Sequence, residues 1–260
     1  MKKLPKWAKI VLPIFFVVAL AAILLVPPLY VYQSGINQLT PLPTGQVTSS
    51  VFVAKVGHDN FFLIRGDDGY IMIDASGDKE QAESALQELG ILAEDVSAIF
   101  LTHTDPDHIA AISLFPNANL YLSELEVQMI DGTTRRASGL LLFLATITRH
   151  PILDHSFEYE YSTLADNEVI EIDGNVIQAI STPGHTLGSM SFLVNDKYLF
   201  TGDAMSMSNG RADLFISLLN MDEDMAAESI SRLAEVQAEY IFTAHHGYST
   251  DLAYVFEGWD

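Results

Sequence analysis

Every residue from Ile10 to Val26 is apolar, and Pro27 to Tyr32 add little polarity. At about 1.5 Å per residue such a run spans most of a bilayer core. Four lysines (Lys2, Lys3, Lys6, Lys9) precede it, and Trp7, Tyr30 and Tyr32 stand at its ends. Aromatic residues favour the membrane interface and lysines the cytoplasmic side, so the pattern predicts one transmembrane helix with a cytoplasmic N-terminus and the rest of the chain extracytoplasmic. The rival reading is a cleaved signal peptide. Ala19-Leu-Ala21 has the small-x-small spacing, but further apolar residues follow it, a poor context for cleavage. Gln33 to Ser50 carries Gly, Pro, Ser and Thr and no charge. The expected organisation is lysines and anchor over residues 1–32, a linker over 33–46, and one domain over 47–260.

Beyond the linker the apolar runs shorten to strand length. Val47 to Val56 and Asn60 to Arg65 read as strands, and Gly66-Asp-Asp-Gly69 turns the second into Tyr70 to Asp74 as a hairpin. Asp78 to Leu89 has helical spacing (Ala82, Ala85, Leu86, Leu89) and a stop at Gly90. Val96 to Leu101 is a buried-strand pattern. A short helix is expected from Ile109 to Pro116, then a strand over Asn119 to Leu122. Ser123 with Glu126 three residues on spells a capping box for the next helix. Further strands are expected near Glu158–Tyr161, Val169–Ile172, Val176–Ile180, Ser189–Val194, Tyr198–Phe200 and Tyr240–Phe242. Asp203 to Asn220 reads as a loop-rich crossing and Asp222 to Glu239 as an amphipathic helix. Between the halves, residues 131–156 hold Arg135, Arg136, an apolar run Leu140 to Ile147, Arg149, His150 and His155. A lid or pocket wall and an ordinary core helix both fit that pattern, and the two histidines read as surface or core residues.

The chain of 260 residues, 49% hydrophobic, is long enough to bury a full core. With the four N-terminal lysines set aside, nine basic residues face 34 acidic ones, a net of about −25. Such a surface repels nucleic acid and anionic headgroups, which points to a small-molecule substrate and to contact with the bilayer through the N-terminal helix alone. No cysteine is present, which excludes disulfides and thiolate-bound zinc. The sequence says nothing of oligomeric state.

Four strand patterns end in loops that carry histidine or aspartate. Ile99 to Leu101 leads into Thr-His103-Thr-Asp105-Pro-Asp107-His108. Val176 to Ile180 leads into Ser-Thr-Pro-Gly-His185-Thr-Leu-Gly188, Tyr198 to Phe200 into Thr-Gly-Asp203, and Tyr240 to Phe242 into Thr-Ala-His245-His246-Gly247. Two imidazoles and two carboxylates within six residues conflict electrostatically unless a divalent cation draws on them.

In order and spacing these motifs resemble the metallo-β-lactamase-fold hydrolase superfamily, over about residues 47 to 260. The resemblance implies a mixed α/β, four-layer αβ/βα sandwich with metals at one end. It implies one cation site from His103, Asp105 and His185, a second from Asp107, His108 and His245, and Asp203 bridging them. Two zinc ions would hold a hydroxide between them and attack an ester-like bond: lactone, thioester, β-lactam or phosphodiester. Asp107 and Asp203 would be the catalytic carboxylates, with Asp107 steering a proton to the leaving group. His246 is the alternative to His245, and with Tyr248 it is otherwise placed beside the metals or the substrate. Asp74 closes its strand in Ile-Asp-Ala-Ser-Gly, similar to the family's segment there, and is read as orienting a ligand, with a simple turn-forming role as the alternative. The chain departs from the pattern at Asp105, where the family has histidine. A harder oxygen donor opens the site to manganese or iron. Flavodiiron proteins, a redox branch of the same fold, also carry a carboxylate there, so a di-iron redox enzyme is a second expectation. A non-catalytic, metal-stabilised binding protein is a third.

Overall fold

The structure, a computed structural model, describes residues 15–16, 26–27, 29–134 and 159–259. No helix among them is long and apolar enough to cross a membrane. The run from Ile10 to Val26 lies, apart from Phe15, Phe16 and Val26, outside the described residues, as do Arg135, Arg136, Arg149, His150 and His155 of the expected lid. The chain divides into two units, Met1–Gln38 and Leu39–Asp260. In the first, residues 29–36 are helical.

The second unit begins eight residues earlier than the composition suggests, because part of the expected linker is built into it. Thr40 N–H donates to the His245 carbonyl at 2.8 Å. Asn60 binds Leu42 in both directions, accepting its N–H at 2.7 Å and donating to its carbonyl at 2.9 Å. Gly45–Gln46 then pairs as β1 with Val51–Val56, β2. The segment's prolines and glycine look like linker chemistry, yet the His245 carbonyl, the Asn60 amide and β2 bind its backbone.

Seven strands form the first sheet in the order β1-β2-β3-β4-β5-β6-β7. After β2 come β3 (Asp59–Arg65), β4 (Tyr70–Ile73), β5 (Val96–Phe100), β6 (Asn119–Ser123) and β7 (Tyr161–Leu164). The strands pair antiparallel as far as β4 and parallel from β4 to β7. The second sheet contains β8 (Val169–Ile172), β9 (Asn175–Ser181), β10 (Met190–Val194), β11 (Tyr198–Phe200), β14 (Tyr240–Thr243) and β15 (Gly247–Ser249). Its order is β15-β14-β11-β10-β9-β8, with β11 and β14 parallel. The crossing after Asp203, expected as loop, carries a small hairpin, β12 (Ser206–Ser208) with β13 (Arg211–Asp213).

Both faces of each sheet are covered, which is why the central strands are apolar throughout rather than alternating. In β2, Val51 and Val53 face the other sheet, where they join Phe62, Phe100, Phe192, Phe200 and Phe242. Phe52 and Ala54 face outward with Ala82, Ala85 and Leu86 of helix α1 (Lys79–Leu89). On the far side, Leu199 and Ile241 meet Ile230 and Leu233 of helix α4 (Glu223–Ala234). The layers are therefore helix, sheet, sheet, helix. The Asp78 carboxylate accepts the Gln81 N–H at 2.9 Å to start α1, and Gly90, at φ +67°, ends it.

Two local expectations change near the chemistry. The short helix begins at Pro106, not Ile109, so α2 (Pro106–Ile109) carries Asp107 and His108 itself. Proline at the first helical position explains the earlier start: its fixed φ suits a helix and its missing N–H costs nothing there. Helix α3 (Glu124–Ile130) starts on Ser123 as expected, but Glu126 does not turn back to close the capping box. The last helix, α5 (Leu252–Val255), is a single turn.

Candidate metal centre

Each motif side chain is delivered just past the carboxyl end of a strand: His103 beyond β5, His185 beyond β9, Asp203 beyond β11 and His245 beyond β14. These strands belong to both sheets, and the loops meet at one end of the sandwich. The ends of well-hydrogen-bonded strands are rigid, so the side chains are held in place before any ligand arrives.

The other six expected ligands gather around the two oxygens of Asp203. On one side, Asp203 Oδ2 lies 3.5 Å from His185 Nε2 and 4.0 Å from His103 Nε2. Asp105 Oδ2 completes that group at 3.2 Å from His185 Nε2 and 3.6 Å from His103 Nε2. On the other side, Asp203 Oδ1 lies 3.0 Å from His245 Nε2 and 3.7 Å from His108 Nε2. Asp107 Oδ2 stands 3.9 Å from each of those two nitrogens. The four histidines and Asp203 are at most 4% exposed. The Asp107 side chain, 43% exposed, lies at the mouth.

Every ligand histidine is gripped through its outer nitrogen. His103 Nδ1 lies 3.1 Å from the Thr102 hydroxyl, His108 Nδ1 2.9 Å from Asp74 Oδ2, His185 Nδ1 3.2 Å from Asn220 Oδ1, and His245 Nδ1 2.9 Å from the His58 carbonyl. The Thr102 hydroxyl donates to Asp74, so it accepts from His103. Acceptors at Nδ1 place the proton there and leave the Nε2 lone pair facing inward, the arrangement that metal-binding imidazoles require. Nε2 of His103, His108 and His245, together with Asp203 Oδ1, are buried without a well-aligned hydrogen-bond partner, although His245 and Asp203 come within 3.0 Å. Buried polar atoms are normally satisfied. Imidazole nitrogens and carboxylate oxygens pointing at common centres are a donor set that divalent cations satisfy, so the residues present fit the group.

The electrostatics agree. Burial alone would raise the Asp203 carboxyl, but the His245 and His108 imidazoles hold it well below the usual carboxylate range. Burial would lower His108, yet Asp74, Asp203 and Asp107 push it well above its ordinary value. His245 is raised in the same way, against its burial, by Asp203 and then Asp59. Positive charge at this spot is strongly favoured.

Asp74 sits at φ +60°, a strained region for a residue other than glycine. Both of its oxygens are used: Oδ1 accepts the Thr102 N–H at 2.8 Å and Oδ2 faces His108. Gly202 at φ +53° has the same dependence on this corner. A Cβ there would lie 2.5 Å from the Thr102 hydroxyl, which is why glycine precedes Asp203.

His246 stands next to the cluster rather than in it. Its N–H donates to the Thr243 hydroxyl at 3.0 Å, and burial followed by the neighbouring His245 pushes its pKa down to about 4. Tyr248, expected beside the metals or the substrate, makes its ring contacts within its own sheet. It pairs with Phe242 across β15 and β14 and stacks on that ring at 5.5 Å. Strand alternation sends it to the same face as Phe242, with one edge in solvent. Sequence reasoning missed four residues. Asp59 lies 3.3 Å from His245 Nδ1, and Asn220 holds His185. The buried Phe215 ring is 5.2 Å from the rings of both His185 and His245. Glu126 is buried behind the cluster. Asp59, Asn220 and Phe215 belong to no local motif, and Glu126 reads only as half of a capping box; long-range contacts leave no pattern in a single sequence.

Residues 54–127 match the family model described as the metallo-beta-lactamase superfamily. Over that stretch the chain is similar to the superfamily. A probable metallo-hydrolase of Methanocaldococcus jannaschii is 29% identical over 162 residues, 62% of this chain and 63% of that protein. The probable polyketide biosynthesis zinc-dependent hydrolase BaeB of Bacillus velezensis is 30% identical over 138 residues, 52% of this chain and 49% of its own length. The chain thus spans 63% of the first relative's length and 49% of the second's. The crystal structure of a metallo-beta-lactamase family protein from Thermus thermophilus superposes with a TM-score of 0.57 at 25% identity, covering 85% of this chain and 77% of that one. The two relatives are named as hydrolases, and the His/Asp cluster of this chain could hold metal.

Proposed function

We propose that the protein is a membrane-anchored, binuclear metallo-hydrolase that cleaves an ester-like bond in a small molecule. One observation carries the reading: four buried imidazoles, Asp105 and Asp107 gather around the two oxygens of Asp203, and Nε2 of His103, His108 and His245 points inward without a well-aligned hydrogen-bond partner. His103, Asp105 and His185 would hold one cation and Asp107, His108 and His245 the other, with Asp203 shared. Divalent ions such as zinc, held by those residues, would supply a water of pKa about 7 as the nucleophile and Lewis acidity toward the bond to be cleaved. Asp74, Asn220, Thr102 and the His58 carbonyl accept at Nδ1, which fixes each ring's orientation and turns its Nε2 toward the cation. Asp107, the most solvent-exposed of the seven ligands, is placed to pass a proton to a leaving group. The zinc-dependent relative supports zinc, and the oxygen donor at Asp105 keeps manganese and iron within reach. Which of lactone, thioester, β-lactam or phosphodiester is cleaved depends on the pocket wall. The apolar run Ile10 to Val26 supports the anchor, and the lysines before it support an extracytoplasmic catalytic domain.

Asp105 favours a second reading, a di-iron redox enzyme, because its carboxylate lies within the first group. One experiment separates the two. The full-length protein is purified in mild detergent, stripped, and reloaded with zinc, manganese or iron. It is then assayed on one substrate of each ester-like class and for oxygen consumption. Hydrolysis restored by zinc or manganese supports the hydrolase. Oxygen reduction by the iron form without any hydrolysis replaces it with the redox enzyme. Full metal occupancy with neither activity leaves a binding protein.

A further inference from the structure

Glu126 is fully buried, yet it belongs to neither metal group. It sits in the first turn of α3, where a capping-box glutamate would bend back to its own helix start. Instead the carboxylate runs forward between two loops. Oε2 accepts the Thr104 N–H at 2.7 Å and the Thr104 hydroxyl at 2.6 Å, and Oε1 accepts the Thr186 hydroxyl. Thr104 lies between His103 and Asp105, and Thr186 follows His185. The three ligands of one cation site are each one residue from a group that Glu126 holds. Those of the other site are not.

The contact is built closely. Ser123, the cap of α3, donates from its hydroxyl to the Gly188 carbonyl at 2.7 Å, tying the same helix end to the His185 turn. A Cβ on Gly188 would lie 2.6 Å from Ser123 Oγ and 2.7 Å from Glu126 Oε1, so the helix reaches the turn only over a glycine. Burying a carboxylate is costly unless it is fully hydrogen-bonded. Three donors converge here, and bonds to a charged acceptor are roughly twice as strong as neutral ones. A carboxylate is the side chain that accepts from all three at once. This goes beyond the reading of the site as a binuclear centre and rests on it.

We infer that Glu126 is a positioning residue that clamps the His103–Asp105 loop to the His185 turn, and so sets the geometry and affinity of the cation site made by His103, Asp105 and His185.

The test uses full-length protein in mild detergent, metal-stripped and titrated with Co²⁺, followed by metal stoichiometry and by the visible absorption of the bound ion. Glu126→Gln puts an amide donor against a hydroxyl donor at one end of the clamp. Thr186→Val removes one bond and keeps the other two. The expected result is a 10- to 100-fold loss of affinity for one cation in Glu126→Gln, with an altered cobalt spectrum and any other cation bound as in the wild type. Thr186→Val should show a smaller loss at the same cation, and it carries the test if Glu126→Gln does not fold. A general weakening of the fold would not pick out one cation. Wild-type affinity and spectrum in every variant that folds, or equal loss of both cations, overturns the clamp alone. A wild-type protein that binds no cation overturns the binuclear reading and the clamp with it.

Discussion

At the scale of single residues, the site depends on groups that never touch the reacting atoms. Asp74 shows this most clearly, because it holds His108 while tolerating φ +60°. Asparagine also adopts that backbone conformation readily, so Asp74→Asn removes the charge without straining the turn. The expected outcome is a 10- to 100-fold loss of metal affinity with little change in the fold, measured by competition against a chromophoric chelator. His246 offers a pH test. Its pKa falls from about 6.5 in a free chain to about 4 in the folded one. The unfolded chain therefore binds a proton in that interval that the native chain does not. Stability is present above about pH 6.5 and is lost as pH falls toward 4. With chelator present, His246→Gln should flatten that part of the thermal-stability profile relative to wild type. An unchanged slope would show that the ring titrates normally. The ligands themselves were legible in the sequence because each follows an apolar strand run and stands in a short, ordered motif. Asp59, Asn220 and Glu126 were not, because each acts across the fold on a residue far away in the chain.

At the scale of elements, strand ends fix the chemistry and helix starts trim it. Phe100 closes β5 just ahead of His103, stacks on Tyr121 at 4.8 Å and meets Phe192 edge-on at 5.4 Å. Phe100→Ala should cost about 3–5 kcal/mol, read from urea unfolding of the metal-free protein, and should loosen the His103 loop as well. Removing the α1 cap with Asp78→Ala should cost about 1 kcal/mol, read from the same unfolding curve. The strands were readable because burial on both faces makes them short and wholly apolar. The element edges were harder. Pro106 starts a helix within the ligand motif, and Thr40 to Gln46 look like linker yet bind Asn60, His245 and β2. In the first case proline's local geometry starts the helix, and in the second tertiary hydrogen bonds override a composition that suggests loop.

At the scale of the whole molecule, two sheets face each other and helices cover them, which brings loops from opposite halves of the chain to one end. The net charge of −21 surrounds a site that favours positive charge, so cation capture should slow as ionic strength rises. Removing residues 1–32 should move the protein from the membrane to the soluble fraction on cell fractionation. Retention on the membrane would contradict the anchor. The central claim is that Asp203 joins two cation sites, and metal analysis of the purified full-length protein beside Asp203→Ala tests it most directly. The account predicts about two divalent ions per chain in the wild type, both weakened or lost in the variant while the fold survives. Full metal retention in Asp203→Ala, or no bound metal in the wild type, would contradict it.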